Sequence, residues 1–419
     1  MIILGIETSC DETALALIET REGTSGLEFR VINSLIHSQA DLHSAYGGVY
    51  PNLAKREHEK MLIPLFKKLI DDSAIATSDP NKVLIDDEYT KRISRFQESL
   101  RDKNPDLIDA MSKADFLKTI QPIDRIAVTE GPGLEPALWT GIIFAEMIAE
   151  LWSIPIIPIN HMEGHIVGSL MESDAPYGTW QSLKKCDFPA IALLISGGHT
   201  ELVEVRSIGD YKIIGQTKDD AVGEAFDKAA RLLELPYPGG PHISKCAQEA
   251  IQENIVSEIK LPRPMIHSKD LDFSFSGLKT AVLYAVRDEQ KKCSTNETDA
   301  NPQINTNDTN RIAKISDNFK KGLCREFEEA VAETLSSKLR KAIDATSAKT
   351  IIIGGGVSAN FMLRSKFKDI GDEYGIPLYM PTRHISGDNA LMIALVGALK
   401  NNVTPRKLKA DGTKRLGTG

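Results

Sequence analysis

Apolar residues in this chain fall into two rhythms. Short runs rich in β-branched side chains end in Gly, Ser or Thr turns, and longer stretches with apolar positions three and four apart follow them. The short runs predict strands at Ile2–Glu7, Ala14–Glu19, Arg125–Thr129, Ile191–Ile195, Leu202–Val205 and Thr350–Ile353. The longer stretches predict helices at Glu57–Ile70, Pro136–Leu151, Ala221–Leu233, Phe319–Ile343 and Asn360–Tyr374. Strands alternating with helices of this length imply a mostly parallel sheet covered on both faces. A strand–turn–strand opening occurs at Ile2–Glu19 and again at Ile191–Val205, as a duplicated α/β fold would show.

Two segments break the rhythm. Asp71 to Lys118 is charged and poor in long apolar runs, with one helix-like stretch from Asp87 to Arg101; it is expected to be a surface insertion without a catalytic part. Ser294 to Asn310 is rich in Asn, Thr and Asp and has too few large apolar side chains to offset its ordering entropy, so disorder is expected there. The expected organisation is an N-terminal α/β domain over 1–155 with an insertion at about 71–120. A second α/β domain follows over 156–380, interrupted at about 294–310. The last part, 381–419, is a helix and tail returning to the cleft and the first domain.

Composition narrows the class. A chain of 419 residues is too long for one ordinary core. A hydrophobic fraction of 42% and a charged fraction of 26% suit a soluble globular protein. No run reaches the ~20 apolar residues of a membrane span, so no membrane partner is expected. The opening Met1–Ile6 runs into polar Glu7-Thr8-Ser9 like a buried strand rather than a secretory signal. The five cysteines (Cys10, Cys186, Cys246, Cys293, Cys324) form no C-x-x-C pair, which argues against a disulfide framework or zinc ribbon. A net charge of −8 excludes a wholly basic nucleic-acid binder but leaves room for a local basic patch. Arg406, Lys407, Lys409, Lys414 and Arg415 are one candidate patch, and Lys55, Arg56, Lys67 and Lys68 another.

Five motifs carry possible chemistry. Gly5-Ile6-Glu7-Thr8-Ser9-Cys10-Asp11-Glu12-Thr13 could cradle a phosphate in a hairpin bend, with Asp11 and Glu12 as metal ligands or bases, or it could be a self-bonded polar tip. In Ile195-Ser196-Gly197-Gly198-His199-Thr200, paired glycines flanked by hydroxyls allow close backbone approach to a phosphate. Gly354-Gly355-Gly356 between a buried strand and Asn360 suits the phosphate or adenine face of a nucleotide. His161 and His165 in Asn160-His161-Met162-Glu163-Gly164-His165 lie on one helix face at metal-ligand spacing, and Asp388 in Ser386-Gly387-Asp388-Asn389 could add a carboxylate. Asp227 in a helical stretch could accept from ribose hydroxyls, with Gly239-Gly240 nearby as open backbone.

The stretches GIETSCDETA, HSQ…HEK around His37 and His58, GPGLEPAL, NHMEGH, ISGGHTELVEV, GEAFDKAARLL, YPGGP, FSFSGLKTAV, GGGVSAN and SGDNALMIA appear in one order from near Gly5 to near Ala394. In that number and order the chain resembles the tRNA N6-adenosine threonylcarbamoyltransferase family, once called O-sialoglycoprotein endopeptidases, and most of all its bacterial and mitochondrial branch. The resemblance implies an actin-like, ATPase-type fold of two α/β domains around a nucleotide cleft. It implies transfer of a threonylcarbamoyl group from threonylcarbamoyl-AMP to N6 of the adenosine beside the tRNA anticodon, with release of AMP. It assigns one divalent metal ion per subunit (zinc, iron or magnesium) to His161, His165 and Asp388. It assigns the acyl-adenylate to Ile195, Ser196, Gly197, Gly198, His199, Asp227, Gly240 and Asn360. Some members carry Asp two residues after PGGP, where this chain reads His242-Ile243-Ser244, so one ribose contact differs.

Asp11, Glu12 and His199 are the candidate catalytic groups. The partners expected are tRNA, threonylcarbamoyl-AMP, and a second copy of the chain in a homodimer or other partner subunits. The Asn/Thr-rich insertion suggests a eukaryotic source and hence the mitochondrial matrix, with the cytoplasm as the alternative. Two other readings fit the same fold: a kinase-like ATPase and a nucleotide-binding scaffold. A metalloprotease is disfavoured because Met162 stands where the zinc-protease motif needs Glu.

Overall fold

The computed structural model of the chain describes residues 1–23, 26–73, 75, 86–100, 104–172, 175–300, 315–400 and 407–417. Two mixed sheets organise it. In the first, β1 (Ile2–Glu7), β2 (Glu12–Gly23) and β3 (Gly26–Ser38) form an antiparallel meander. On its other side β1 runs parallel to β4 (Arg125–Gly131), and β4 parallel to β5 (Ile156–Asn160). A short β6 (Gln181–Ser182) extends the β3 edge. In the second sheet β7 (Ala190–Ile195), β8 (Thr200–Ser207) and β9 (Asp210–Gln216) repeat the meander. There β10 (Thr350–Gly354) and β11 (Leu378–Tyr379) add parallel strands beyond β7.

Apart from β6, both sheets therefore have the same order: third, second, first, fourth, fifth strand. That repeated order is the duplicated fold expected from the two strand–turn–strand openings, and it agrees with the actin-like fold that the resemblance implies. The expected boundary at 155 leaves two strands of the first sheet beyond it, since β5 begins at Ile156 and bonds to β4, and β6 bonds to β3.

Three expectations need correcting. The 71–118 stretch is not merely superficial, because Tyr89, Ile93, Leu107, Ile108 and Met111 are buried in one cluster with Leu4 and Ile6 of β1. Its helix Asp86–Leu100 is also tied down by Arg92, which donates to the carbonyls of Glu150 at 2.6 Å and Leu151 at 2.8 Å. The stretch looked superficial because its apolar residues are spaced singly among charges. The helix Ser276–Ala300 runs on through Ser294–Ala300, so that part of the segment expected to be disordered is helical; 301–310 lie outside the described residues. Finally, β3 was missed: its mostly half-exposed residues leave polar positions inside the run and blur the apolar signal.

What positions the site is the space between the sheets. The helix Ala390–Leu399 is apolar all round and buried from Ala390 to Ala398, as a helix packed on every side must be. It packs on Ile3, Ala14, Ala16, Ala127 and Ile157 of the first sheet. The helix His161–Gly168 sets Met162 and Ile166 among Ala190, Ala192, Leu194 and Ile352 of the second. Both helices begin at the same crevice. Among the described residues no helix is long and apolar enough to cross a membrane.

Gly5 marks how closely the buried helix approaches β1. A Cβ there would sit 2.3 Å from the Ala390 carbonyl oxygen, so even one methyl must displace backbone. Gly5→Ala is expected to cost about 1–3 kcal/mol, the usual cost of overpacking. Urea unfolding checks this, and a midpoint equal to the parent's would contradict it.

Candidate active site

Three ligand-type side chains meet where the two helices start. His161 opens its helix and His165 follows one turn later, with ring centroids 4.7 Å apart. Asn160 caps that helix, its Oδ1 accepting from Met162 N at 2.9 Å and Glu163 N at 3.3 Å. Asp388 precedes Asn389, which caps the Ala390–Leu399 helix through Met392 N at 3.1 Å. Asp388 Oδ1 lies 3.3 Å from His161 Nε2 and 3.2 Å from His165 Nε2. One ligand atom from each residue fits within a mutual 4.8 Å.

The surroundings suit a cation. His161 Nδ1 stands 2.9 Å from Glu7 Oε2, and Glu7 is fully buried. An ionised Glu7 only accepts, so Nδ1 carries a proton, and Nε2, which faces Asp388, is the nitrogen that a cation would take in place of its proton, an arrangement common behind metal-bound imidazoles. Glu7 is fixed in turn by Thr129 Oγ1 at 2.6 Å and the Ser9 amide at 2.5 Å. His165 Nε2 is buried without an aligned hydrogen bond, and a buried nitrogen so placed suits a ligand position, where a cation rather than a donor would meet its lone pair. The donor set of two imidazoles and one carboxylate fits a borderline divalent ion with open positions.

Electrostatics carry the same message. Burial disfavours charge on His161, but the Asp388 and Glu7 carboxylates outweigh it and push its pKa well up. Burial would raise Asp388, yet His161 and His165 hold it well below the carboxylate range. Glu12 is pushed well above its ordinary value by burial, then by the charges of Asp388 and Asp11. A cation among these acids would offset that repulsion.

The other predicted residues reach the crevice to different degrees. Asp11 and Glu12 lie at the β1–β2 bend, which His58 braces: Thr13 Oγ1 donates to Nδ1 at 2.7 Å, and Nε2 donates to the Cys10 carbonyl at 3.1 Å. Burial pulls His58 down to about 4, so it is neutral there. The Ser196–His199 turn joins β7 to β8 and closes on itself through Ser196 N to His199 O at 2.9 Å and His199 N to Ser196 Oγ at 3.1 Å. Gly197 and Gly198 are exposed at its tip. Burial, then the charges of His161 and His165, pulls His199 down to about 4. The Gly354-Gly355 turn packs against both neighbours: a Cβ on Gly354 would lie 3.0 Å from the His165 carbonyl oxygen, and one on Gly355 2.4 Å from that of Ile195, which precedes the Ser196–His199 turn.

Asp227 accepts from the Gly239 amide at 2.7 Å and so fixes the Gly239-Gly240 bend, where Gly240 has open space above it. Gly355 needs its missing side chain: φ is +91°, and a Cβ would lie 2.4 Å from the Ile195 carbonyl oxygen. Two predicted contacts are occupied otherwise. The Ile195 side chain is fully buried in the second-sheet core, leaving only its backbone to meet a ligand. Asn360 caps the helix Phe361–Tyr374 through Leu363 N at 3.0 Å, and its amide donates to Glu328.

Glu7, Ser9 and His58 lie in stretches named from the sequence, but none was given a role of its own. Glu7 was visible as an acid ending a buried strand, but only the fold sets it behind His161. The two expected basic patches are partly neutralised. Lys67 and Lys68 pair with Asp71 and Asp72, each at 2.5 Å, and Lys55 pairs with Glu59 at 3.7 Å. Lys414 pairs with Glu130, and Arg406 lies outside the described residues.

Two α/β halves of one topology, closing on a crevice of imidazoles, acids and glycine turns, define a nucleotide-cleft enzyme of the actin-like class. The chain belongs to the tRNA N6-adenosine threonylcarbamoyltransferase family, whose model matches residues 30–85 and 104–395. It is 36% identical over 400 residues to the tRNA N6-adenosine threonylcarbamoyltransferase of Chromobacterium violaceum, covering 96% of this chain and 93% of that protein. It is 38% identical over 403 residues to that of Polynucleobacter asymbioticus, covering 96% and 92%. Among solved structures, the activator of 2-hydroxyisocaproyl-CoA dehydratase from Clostridium difficile aligns with a TM-score of 0.42 at 11% identity, over 95% of this chain and 93% of that one. These sequence relatives are bacterial proteins, as are those of Nitrosospira multiformis and Neisseria. That overturns the expected mitochondrial matrix location and points to the cytoplasm.

Burial holds Asp227 up at about 6, against 3.8 for a free aspartate. Its stability contribution is therefore full below pH about 4 and is lost as pH rises through 6. Asp227→Asn keeps the acceptor for Gly239 and removes the charge. It is expected to raise stability at pH 7.5 by up to about 3 kcal/mol and to flatten the pH dependence between 4 and 6. Urea unfolding across that range checks this; an unchanged profile would contradict it.

Proposed function

We propose that the chain transfers a threonylcarbamoyl group from threonylcarbamoyl-AMP to N6 of the adenosine beside the anticodon of tRNA, releasing AMP. The observation that carries this reading is the convergence of His161, His165 and Asp388, joined to the Ser196–His199 turn through Gly354 and Gly355, in a chain whose relatives bear the name of that activity.

The donor is a mixed anhydride and already activated, so the protein's work is chiefly positioning and stabilising developing negative charge. The adenylate fits against the Ser196–His199 turn and the Gly239-Gly240 bend, with Asp227 as acceptor for ribose hydroxyls. His161, His165 and Asp388 would hold one divalent ion, which when bound would supply Lewis acidity and a template for the donor's oxygens. The adenine is taken out of its stack so that N6 reaches the carbamoyl carbon. The new C–N bond forms as the C–O bond to phosphate breaks, and one proton leaves N6. Asp11, Glu12 and His199 border the crevice and are the groups available to take it. Glu7 holds the His161 ring in the tautomer this arrangement requires.

Purified protein with threonylcarbamoyl-AMP and unmodified tRNA is expected to yield modified adenosine and one AMP per transfer. Steady ATP hydrolysis indifferent to tRNA, without modified adenosine, would favour the kinase-like reading instead. Glu7→Gln keeps the shape behind His161 but weakens the acceptor, so affinity for added Zn²⁺ should fall about 10–100-fold. Calorimetric titration of metal-free protein measures this, and parental affinity would contradict the role given to Glu7.

A further inference from the structure

We propose that residues 407–417 act as a strap that positions the helix carrying His161 and His165. The inference rests on the metal reading above only in its second readout. The segment crosses from the first sheet to the second, and it lies beyond the region matched by the family model, which ends at 395.

Its first half is built into the first domain. Leu408 and Ala410 are buried in the same cluster as Leu4 and Ile6. Asp411 N donates to the Glu130 carbonyl at 2.9 Å, and Lys414 forms an ion pair with the buried Glu130 carboxylate. Breaking such a pair by removing one partner leaves an uncompensated buried charge, so the latch is firm.

From there the strap reaches the metal helix by three routes. Gly133 N donates to the Gly412 carbonyl at 3.2 Å, and Leu134 N donates to the Ser9 carbonyl at 2.7 Å. Ser9 Oγ stands 3.2 Å from His161 Nδ1, so the strap supports the loop that borders this ligand. Gly133 is pressed so closely on Ser9 that a Cβ would lie 2.6 Å from its carbonyl oxygen. The second route is shorter. Asn160 Nδ2 donates to the Arg415 carbonyl at 3.3 Å, while Asn160 Oδ1 caps the helix at Met162 and Glu163. The strap thus orients the amide that fixes the helix start. The third route is packing: Leu416 is buried in one cluster with Met162, Ile166 and Leu170, the first two following His161 and His165 directly in the helix.

A general stabiliser would hold all elements alike. This segment touches the entry loop, the cap and the packed face of one eight-residue helix. Leu416, the Arg415 carbonyl and Lys414 are therefore positioning groups for His161 and His165.

The test compares two variants of the full chain. Leu416→Ala removes the packing route. Asn160→Ser keeps an oxygen for the helix cap but loses the donor to Arg415. Hydrogen exchange of the metal-free protein reads the helix directly, and titration with Zn²⁺ alone reads the ligand geometry. Both variants are expected to speed amide exchange across 161–168 about tenfold or more and to lower Zn²⁺ affinity about tenfold. Exchange within the helix Asp317–Thr346 should stay at the parental rate, and Leu416→Met should restore both readouts. Parental exchange and Zn²⁺ affinity in both variants would overturn the proposal. Equal acceleration over 161–168 and 317–346 would overturn it too, since that marks general stabilisation. If Leu416→Ala fails to fold, Asn160→Ser decides alone. Parental protein that binds no Zn²⁺ would sink the metal reading, while the exchange measurement still decides the strap.

Discussion

The contact between Asp388 and the two imidazoles at 161 and 165 is the constraint on which the rest of the structure depends. These residues are more than two hundred positions apart in sequence, and neither helix that presents them can be placed without the other. The apolar Ala390–Leu399 helix must bury itself between the sheets, and doing so brings Asp388 to the start of the His161–Gly168 helix. Gly5 permits that depth of insertion. Behind the imidazoles, Glu7 is a buried carboxylate that is tolerable only because Thr129, the Ser9 amide and His161 all donate to it. The same set of bonds therefore stabilises the fold and orients the ring.

Charge explains why the crevice is unsettled without a ligand. Asp388, Glu7, Glu12 and Asp11 approach one another in a region of low dielectric, and the raised pKa of Glu12 records that crowding. Asp227, on the second-domain side, is raised for the same kinds of reason, burial first and then Asp11. A protein that keeps such acids together gives up stability at neutral pH for a site that welcomes a cation and a polar nucleotide.

Much of this was legible in the chain. The i, i+4 spacing of His161 and His165 predicts one helical face whatever surrounds it, and the strand–Gly–Gly–Gly–helix pattern at 351–360 requires a close backbone approach, which Gly355 makes against Ile195. The two strand–turn–strand openings foretold the repeated sheet order. What was not legible depends on distant contacts. Glu7 reads as the polar end of a strand until β5 delivers His161 beside it. Asn360 looks like a ligand contact until Glu328, thirty-two residues earlier, takes its amide. The 71–118 stretch reads as surface because single apolar residues among charges signal burial only once their common face is known. The Asn/Thr-rich segment misled about location because composition reports the cost of ordering, not the compartment.

The central claim is that two imidazoles and one carboxylate of this chain share one divalent ion. X-ray absorption at the zinc edge, on protein reconstituted with one equivalent of Zn²⁺, tests it most directly. The account predicts a first shell of nitrogen and oxygen only, at about 2.0–2.2 Å, with the multiple-scattering signature of two imidazoles that drops to one in His165→Ala. A sulfur neighbour at about 2.3 Å, as Cys10 would supply, or an imidazole count unmoved by that substitution, would contradict it.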